Sequence, residues 1–284
     1  MYKKRFFFGM ILPSIIVFII VILVPTILAL GYSFTDWNGR SGKDLKASWI
    51  GFKNYVDIFK DSHFASRIGY TFVFSIASLL LVNIIAFALA YVLNSKLIKG
   101  RNIFRSFFFI PNIIGGLVIA YIWQSILQGV YYSIYKQEGS FATLNKWSGL
   151  LSMTVVYTWQ MAGYIMLIYL AALQNVSKTL DEAAQIEGVS KFKRFKSVVI
   201  PAVLPALTVS FFLVLSGSFR MFDLNFILTN ERPDSSLLAY DIYTTGDINT
   251  QYGLAEAKSV IFVILVSIIS ISQVAISKKF EVQT

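Results

Sequence analysis

The chain has 284 residues, of which 56% are hydrophobic and only 14% charged, with a mean hydropathy of +0.65. A water-soluble domain carries about 25% charged residues, so that class gives way to an integral membrane protein. The net charge is +10 and there is no cysteine, which rules out a disulfide framework and a thiolate metal site.

A spanning helix needs about 20 mostly apolar residues, because it rises about 1.5 Å per residue through a hydrocarbon core about 30 Å thick. Six charge-free runs are long enough: 6–35, 68–95, 106–135, 147–177, 197–219 and 259–277. They predict an all-α polytopic protein with one transmembrane domain over 1–284. Its spans fall at about 9–34, 68–95, 106–128, 150–175, 200–220 and 257–277. A helix keeps every backbone hydrogen bond inside such a segment.

The first run follows Lys3, Lys4 and Arg5. It is longer than the ~7–15 residue core of a signal peptide and so reads as a retained span, with Pro13 and Pro25 near its ends or at a kink. The polar segment 36–67 holds His63, the only histidine, which reads as a surface residue because zinc sites draw on several His or Cys ligands. An amphipathic helix near Tyr55–Phe64 fits this segment. Span two carries Asn83, span three Asn112 and Gln124, and span four Tyr157-Thr158-Trp159-Gln160 and Tyr164. Span five carries Ser210, Ser216 and Ser218, with Arg220 and Asp223 one turn apart at its end, placed to pair or to face a partner.

Polar side chains inside a membrane are costly, which makes these residues candidates for a solute pathway. The competing readings are helix-to-helix hydrogen bonds for Ser and Thr and interfacial anchoring for Trp and Tyr. No charge lies in the middle of a span, which disfavours an ion channel or a charged solute. Aromatic faces beside amides and hydroxyls suit a neutral polyhydroxyl solute.

Segments 1–5, 96–105, 178–196 and 278–284 hold 14 Lys/Arg and four acids, whereas the rest of the chain holds 11 of each. The whole excess charge therefore falls on one side, which the positive-inside rule makes cytoplasmic, with both termini there. This distribution accounts for the basic balance without nucleic acid.

The most charged connector, 177–199, separates spans four and five. Within it Thr179-Leu180-Asp181-Glu182 fits a capping box. Ala183, Ala184 and Ile186 give a small, partly apolar helix face; Gly188 fits a left-handed helix end and Ser190 a new N-cap. Phe192, Phe195 and Val199 then repeat on one face, and Pro201 and Pro205 restrain the entry into span five. Two readings stay open on chemistry alone: a solvated basic connector, or a short helix that docks in a partner's groove with one carboxylate for an arginine.

Glu182-Ala183-Ala184, Gly188 and Val198-x-Ile200-Pro201 resemble the EAA motif, E-A-A-x3-G-x9-I-x-L-P, of permease subunits of bacterial ATP-binding-cassette importers. Val198 and Ile200 stand for Ile and Leu and keep the apolar character. Trp49-Ile50-Gly51-Phe52-Lys53-Asn54-Tyr55, Arg105 to Pro111, and Phe222-Asp223 with Leu228-Thr229-Asn230 are similar to segments of the maltose-type, carbohydrate-importing branch. That branch continues with Gly-Gly-Pro where this chain has Glu231-Arg232-Pro233, so a different outward turn is expected. The resemblance covers about residues 10 to 280.

The resemblance implies a type I importer permease fold in the bacterial plasma (inner) membrane. It implies a second homologous permease, two ATP-binding-cassette subunits that bind ATP and magnesium, and an extracytoplasmic solute-binding protein as partners. No cofactor is expected in this chain, which has no G-x4-G-K-[S/T] phosphate loop. Glu182, Ala183, Ala184 and Gly188 become the coupling element, with Glu182 as the salt-bridge residue. Asn112, Gly116, Tyr157, Gln160, Met161, Gly217, Ser218 and Met221 become the candidate solute pathway. The solute class is sugar, with an oligosaccharide foremost and a polyol or glycerol phosphate as the nearest rival. An ion-driven secondary transporter would call for buried ionisable residues, and a membrane enzyme for a clustered His, Asp or Glu site.

Overall fold

The computed structural model describes residues 4–39, 47–95, 97–176, 186–229 and 232–279. Among them there is no strand, only one isolated bridge between Thr35 and Trp49. Six helices are long and apolar enough to cross a membrane: Gly9–Tyr32, Ser62–Asn94, Gly116–Tyr135, Lys146–Gln174, Lys191–Phe219 and Tyr252–Lys278. The chain divides into two compact units, Met1–Ala65 with Asp241–Leu265 and Ser66–Tyr240 with Val266–Thr284. The polar segments 36–67 and 220–258 bury side chains of their own, including Asn54, Ile58 and Asp241.

The first unit starts with α1 (Lys4–Phe18), a π turn (Ile19–Leu23) and α2 (Val24–Tyr32). The π turn directly precedes Val24-Pro25. A proline ring clashes with the carbonyl four residues back and removes a hydrogen bond, so a widened turn lets the helix continue. The same device recurs in the other unit, where a π turn (Phe195–Val199) precedes Ile200-Pro201. After α2 the chain folds back on itself, with Asp36 N donating to Ser48 O (3.1 Å) and Ile50 N to Phe34 O (2.9 Å). Buried Asn54, in α3 (Lys53–Lys60), donates to Ser33 O (2.9 Å) and Thr35 O (2.8 Å). In α12 (Tyr252–Lys278), Lys258 Nζ meets Asp241 Oδ2 (2.9 Å) and Thr245 Oγ1 (2.8 Å), with the two charged side chains only 5% and 2% exposed.

The second unit is built on α7 (Lys146–Gln174), whose Met153, Val156, Ile165, Met166 and Tyr169 are buried. Asn145 and Ser148 cap its start reciprocally. Around it lie α4 (Ser62–Asn94), α5 (Arg101–Ile113), α6 (Gly116–Tyr135) and α9 (Ile200–Phe219), which follows the short α8 (Lys191–Arg194). Two short helices, α10 (Asp223–Leu228) and α11 (Leu238–Tyr243), come after α9. Gly163 of α7 lies against the backbone of Phe108, where any Cβ would strike the carbonyl. That close approach sets the packing of α5 on α7.

The third span needs correction. A helix over 106–128 is expected, but the chain breaks at Ile114, which is extended (φ −75°, ψ 133°), and at Gly115. Pro111 and the Gly115-Gly116 pair explain the break, since both residue types weaken a helix. Arg101–Ile113 becomes a separate helix, and the candidate span shifts to the 20 residues of α6. Counting charges finds apolar runs and is blind to these breakers.

Candidate solute pathway and coupling segment

Glu182, Ala183 and Ala184 lie outside the described residues. Gly188 is left-handed (φ +71°), the conformation expected of a helix end. The Ser190 hydroxyl accepts from Lys193 N (3.4 Å) and caps α8, as its position predicts. Phe195 then packs on Phe87 and Tyr91 of α4, with ring centroids 6.0 and 5.7 Å away, while Phe192 stays exposed. The basic connector is thus anchored to the membrane helices through one ring of its apolar repeat.

The candidate pathway residues fall into three groups. At the break between α5 and α6, Asn112 Nδ2 donates to Met161 Sδ (3.4 Å) and Gln160 Nε2 to Ile114 O (3.5 Å). The break itself frees the Ile114 carbonyl from helical pairing. Each amide uses its NH2 group here and keeps its oxygen as an acceptor. All three side chains are partly exposed, and the Trp123 and Trp159 rings meet edge to face nearby in sequence (5.7 Å). This junction leaves two amide oxygens unengaged, and the charge placed against it is the Asp223 carboxylate at Gly116.

In the second group Tyr157 OH donates to Val214 O (3.2 Å), and a Cβ on Gly217 would stand 2.6 Å from that hydroxyl. Gly217 therefore makes room for Tyr157, and Tyr157 is buried. In the third, the Asp223 carboxylate lies against Gly116, where a side chain would collide with it. Arg220 donates to Ser216 O (3.1 Å), and no Arg220–Asp223 ion pair occurs among the described residues. Ser218 is buried and donates to Leu215 O (2.9 Å) in its own helix, and Met221 is half-buried at the end of α9.

Three polar clusters escape the sequence reading as clusters. Tyr169 OH donates to Asn83 Oδ1 (2.6 Å), and Ser210 Oγ lies 2.7 Å from both of those oxygens. Asn83 Nδ2 donates to Leu79 O (2.7 Å), which ties α4, α7 and α9 together. Asn83 and Ser210 stand out singly in the sequence; Tyr169 does not. The second cluster is the Lys258–Asp241 pair. The third is a cavity of about 700 Å³ at the Tyr135 end of α6, lined by Gln124, Gln128, Tyr132, Glu138, Thr143 and others. Its signal in the sequence is the i, i+4, i+8 spacing of Gln124, Gln128 and Tyr132.

The cavity rim is held from outside the spans. Arg232 donates to Thr143 O (3.0 Å) and Leu144 O (3.2 Å) and pairs with Asp234 (3.1 Å). The hydrogen bond and charge of Arg232 hold the Asp234 carboxyl below the usual carboxylate range.

Comparison with known proteins agrees with this architecture. Residues 94–282 match the family described as binding-protein-dependent transport system inner membrane component. The chain is 35% identical over 279 residues to the probable starch degradation products transport system permease protein AmyD of Thermoanaerobacterium thermosulfurigenes, covering 95% of this chain and 93% of that one. It is 30% identical over 260 residues to the multiple sugar-binding transport system permease protein MsmF of Streptococcus mutans, covering 88% of each. In fold it is similar to a chain in the crystal structure of a bacterial ABC transporter that imports the acidic polysaccharide alginate. The TM-score is 0.80 at 22% identity, over 97% of this chain and 96% of that one. The six apolar helices and the match over two-thirds of the sequence place this chain in the family of binding-protein-dependent inner-membrane permeases of ATP-binding-cassette importers.

Proposed function

We propose that the chain is the membrane-spanning permease of an ATP-driven, binding-protein-dependent importer of a neutral sugar, with an oligosaccharide as the solute. The observation that carries this reading is the α5–α7 junction, where the Asn112 and Gln160 amides keep their oxygens as acceptors, the Trp123–Trp159 pair lies nearby in sequence, and the charge against the break, Asp223 at Gly116, is negative. Such a surface suits hydroxyls and sugar ring faces and gives an anion no cation. The printed names of AmyD and MsmF, starch degradation products and multiple sugars, support the same class.

In this reading the chain works with a second permease, two ATPase subunits that bind ATP and magnesium, and an extracytoplasmic binding protein. It catalyses no reaction itself. The distribution of Lys and Arg supports cytoplasmic termini, which puts segment 177–199 on the ATPase side and the Tyr135 end of α6 outside. Glu182 is the carboxylate offered to the ATPase, Ala183 and Ala184 the close-packing face, and Gly188 the turn.

The test is uptake of labelled sugars and polyols by cells lacking the gene, complemented with the wild-type chain or with Glu182→Gln. Glutamine preserves the capping hydrogen bond and removes the charge. The expected result is sugar uptake with the wild type and a loss of about tenfold or more with the variant at equal membrane expression, since a hydrogen bond to a charged group is worth about 1.5–3 kcal/mol. Equal uptake by both would reduce Glu182 to a helix cap. Uptake of a glycerol phosphate or another polyol, and no sugar, would move the solute class.

A further inference from the structure

The cavity at the Tyr135 end of α6 is distinct from the α5–α7 junction and has no role in the reading above. We propose that it is an outer binding station for a neutral, hydroxyl-rich stretch of the solute, holding the far end of an oligosaccharide. The inference rests on the sugar-importer reading and extends it to chain length.

Three observations carry it. The first is size and chemistry. About 700 Å³ falls in the range of small-molecule sites, and the lining contains two amides, four hydroxyls and one carboxylate, but no Lys, Arg or His. Glu138 accepts hydrogen bonds from hydroxyls, and the lining offers an acidic glycan no cation, since Arg232 at the rim is already engaged by Asp234 and the carbonyls of Thr143 and Leu144. Neutral sugar is the ligand that this lining fits.

The second is the state of the polar groups. Gln124 uses its NH2 on Ile227 O (3.0 Å) and keeps its oxygen as an acceptor. The side chains of Gln128 and Glu138 have no hydrogen-bond partner among the described residues. The opposite face of α6 carries Ile122, Ile126, Val130 and Ile134, all exposed as a membrane-facing stripe would be. Amides on a spanning helix are costly unless something polar meets them.

The third is rigidity. Gly139 lies on the Tyr131 ring, with a Cβ position 2.7 Å from it, and Tyr131 packs on Tyr135 and Phe141 at 4.7 and 5.4 Å. Ser140 Oγ accepts from Ala142 N (3.2 Å), and Arg232 clamps Thr143. The wall opposite α6 is therefore fixed before any ligand arrives, which lowers the cost of ordering on binding.

The experiment uses the assembled importer in cells and two neutral probes, labelled maltotriose and maltoheptaose, with uptake measured over a concentration series. Gln128→Leu removes two hydrogen-bonding groups, and the apparent KM for maltoheptaose should rise about tenfold, with a smaller rise for maltotriose. Ser125→Trp fills the cavity without removing an amide and should give the same length-dependent loss, which covers the case of Gln128→Leu failing to assemble. Ser133→Ala, on the same helix but outside the lining, should keep the wild-type KM for both. Wild-type uptake of both probes, with KM in the cavity variants unchanged or raised equally for the two lengths, would overturn the station alone. If the wild type takes up neither probe, nor any of a panel of neutral oligosaccharides, the sugar reading falls and the station with it.

Discussion

Two polar clusters of the second unit draw on its apolar helices, and they differ in the fate of their donors and acceptors. At Asn83, Tyr169 and Ser210, both hydroxyls reach one amide oxygen and the amide NH2 is held by Leu79 O. On α6 and just beyond its end, Gln128 and Glu138 have no partner among the described residues, and Gln124 is only half used. The first cluster joins three helices and is closed to any further ligand. The second is open. A polar side chain in a membrane helix is therefore a sign of function only when its own chain leaves it unsatisfied, and otherwise a sign of packing.

The largest test of the closed class is in the first unit. Lys258→Met leaves the Asp241 carboxylate buried without its cation, which should cost about 3–5 kcal/mol. The thermal midpoint of the purified complex should fall sharply, or the chain should fail to accumulate. Adding Asp241→Leu should restore most of the loss, because a well-packed apolar pair often replaces a buried ion pair at little cost. A double variant as unstable as the single one would mean that Asp241 holds the fold by other contacts.

Next in size is the contrast itself. Asn83→Leu leaves two buried hydroxyls with one partner fewer each and should cost about 1–3 kcal/mol. Gln128→Leu, at a site with nothing to lose internally, should stay within about 0.5 kcal/mol of the wild type. Equal loss of thermal midpoint in both would erase the distinction between the clusters.

The same contrast explains what the sequence discloses. The number of spans is legible because charge-free length is a local property. The third span is misplaced because its breakers, Pro111 and Gly115-Gly116, carry no charge. Gly188 and Ser190 are legible because a left-handed end and a cap involve only neighbouring residues. Asn83 and Ser210 stand out singly, but Tyr169 joins Asn83 across 86 positions, and only the fold makes that pairing. Asn112 and Gln160 are brought together with Met161, whereas Ser218, equally polar in the sequence, bonds within its own helix. Lys258 and Asp241 fall among the outward loop charges in the sequence and are buried in the structure.

The smallest expected effect bears on the rim of the open cavity. Arg232 holds Asp234 and the carbonyls of Thr143 and Leu144, and Asp234 has a lowered pKa because the Arg232 hydrogen bond favours its charged form, with Lys146 adding to the same effect. A depressed carboxylate stabilises the folded state above its unfolded value of about 3.9, and that contribution is lost as pH falls through the lower folded value. The pair is half exposed, so the contribution is small and weakened by salt. Asp234→Asn should therefore melt slightly below the wild type at neutral pH, and the two should converge in acid. Arg232 would keep its bonds to Thr143 and Leu144 but lose the carboxylate that orients its fork. Uptake of a long oligosaccharide should then weaken more than uptake of a short one, in the same order as for the cavity variants but by less. A drop of equal size for both lengths would mean that the clamp serves the fold alone and leaves the cavity untouched.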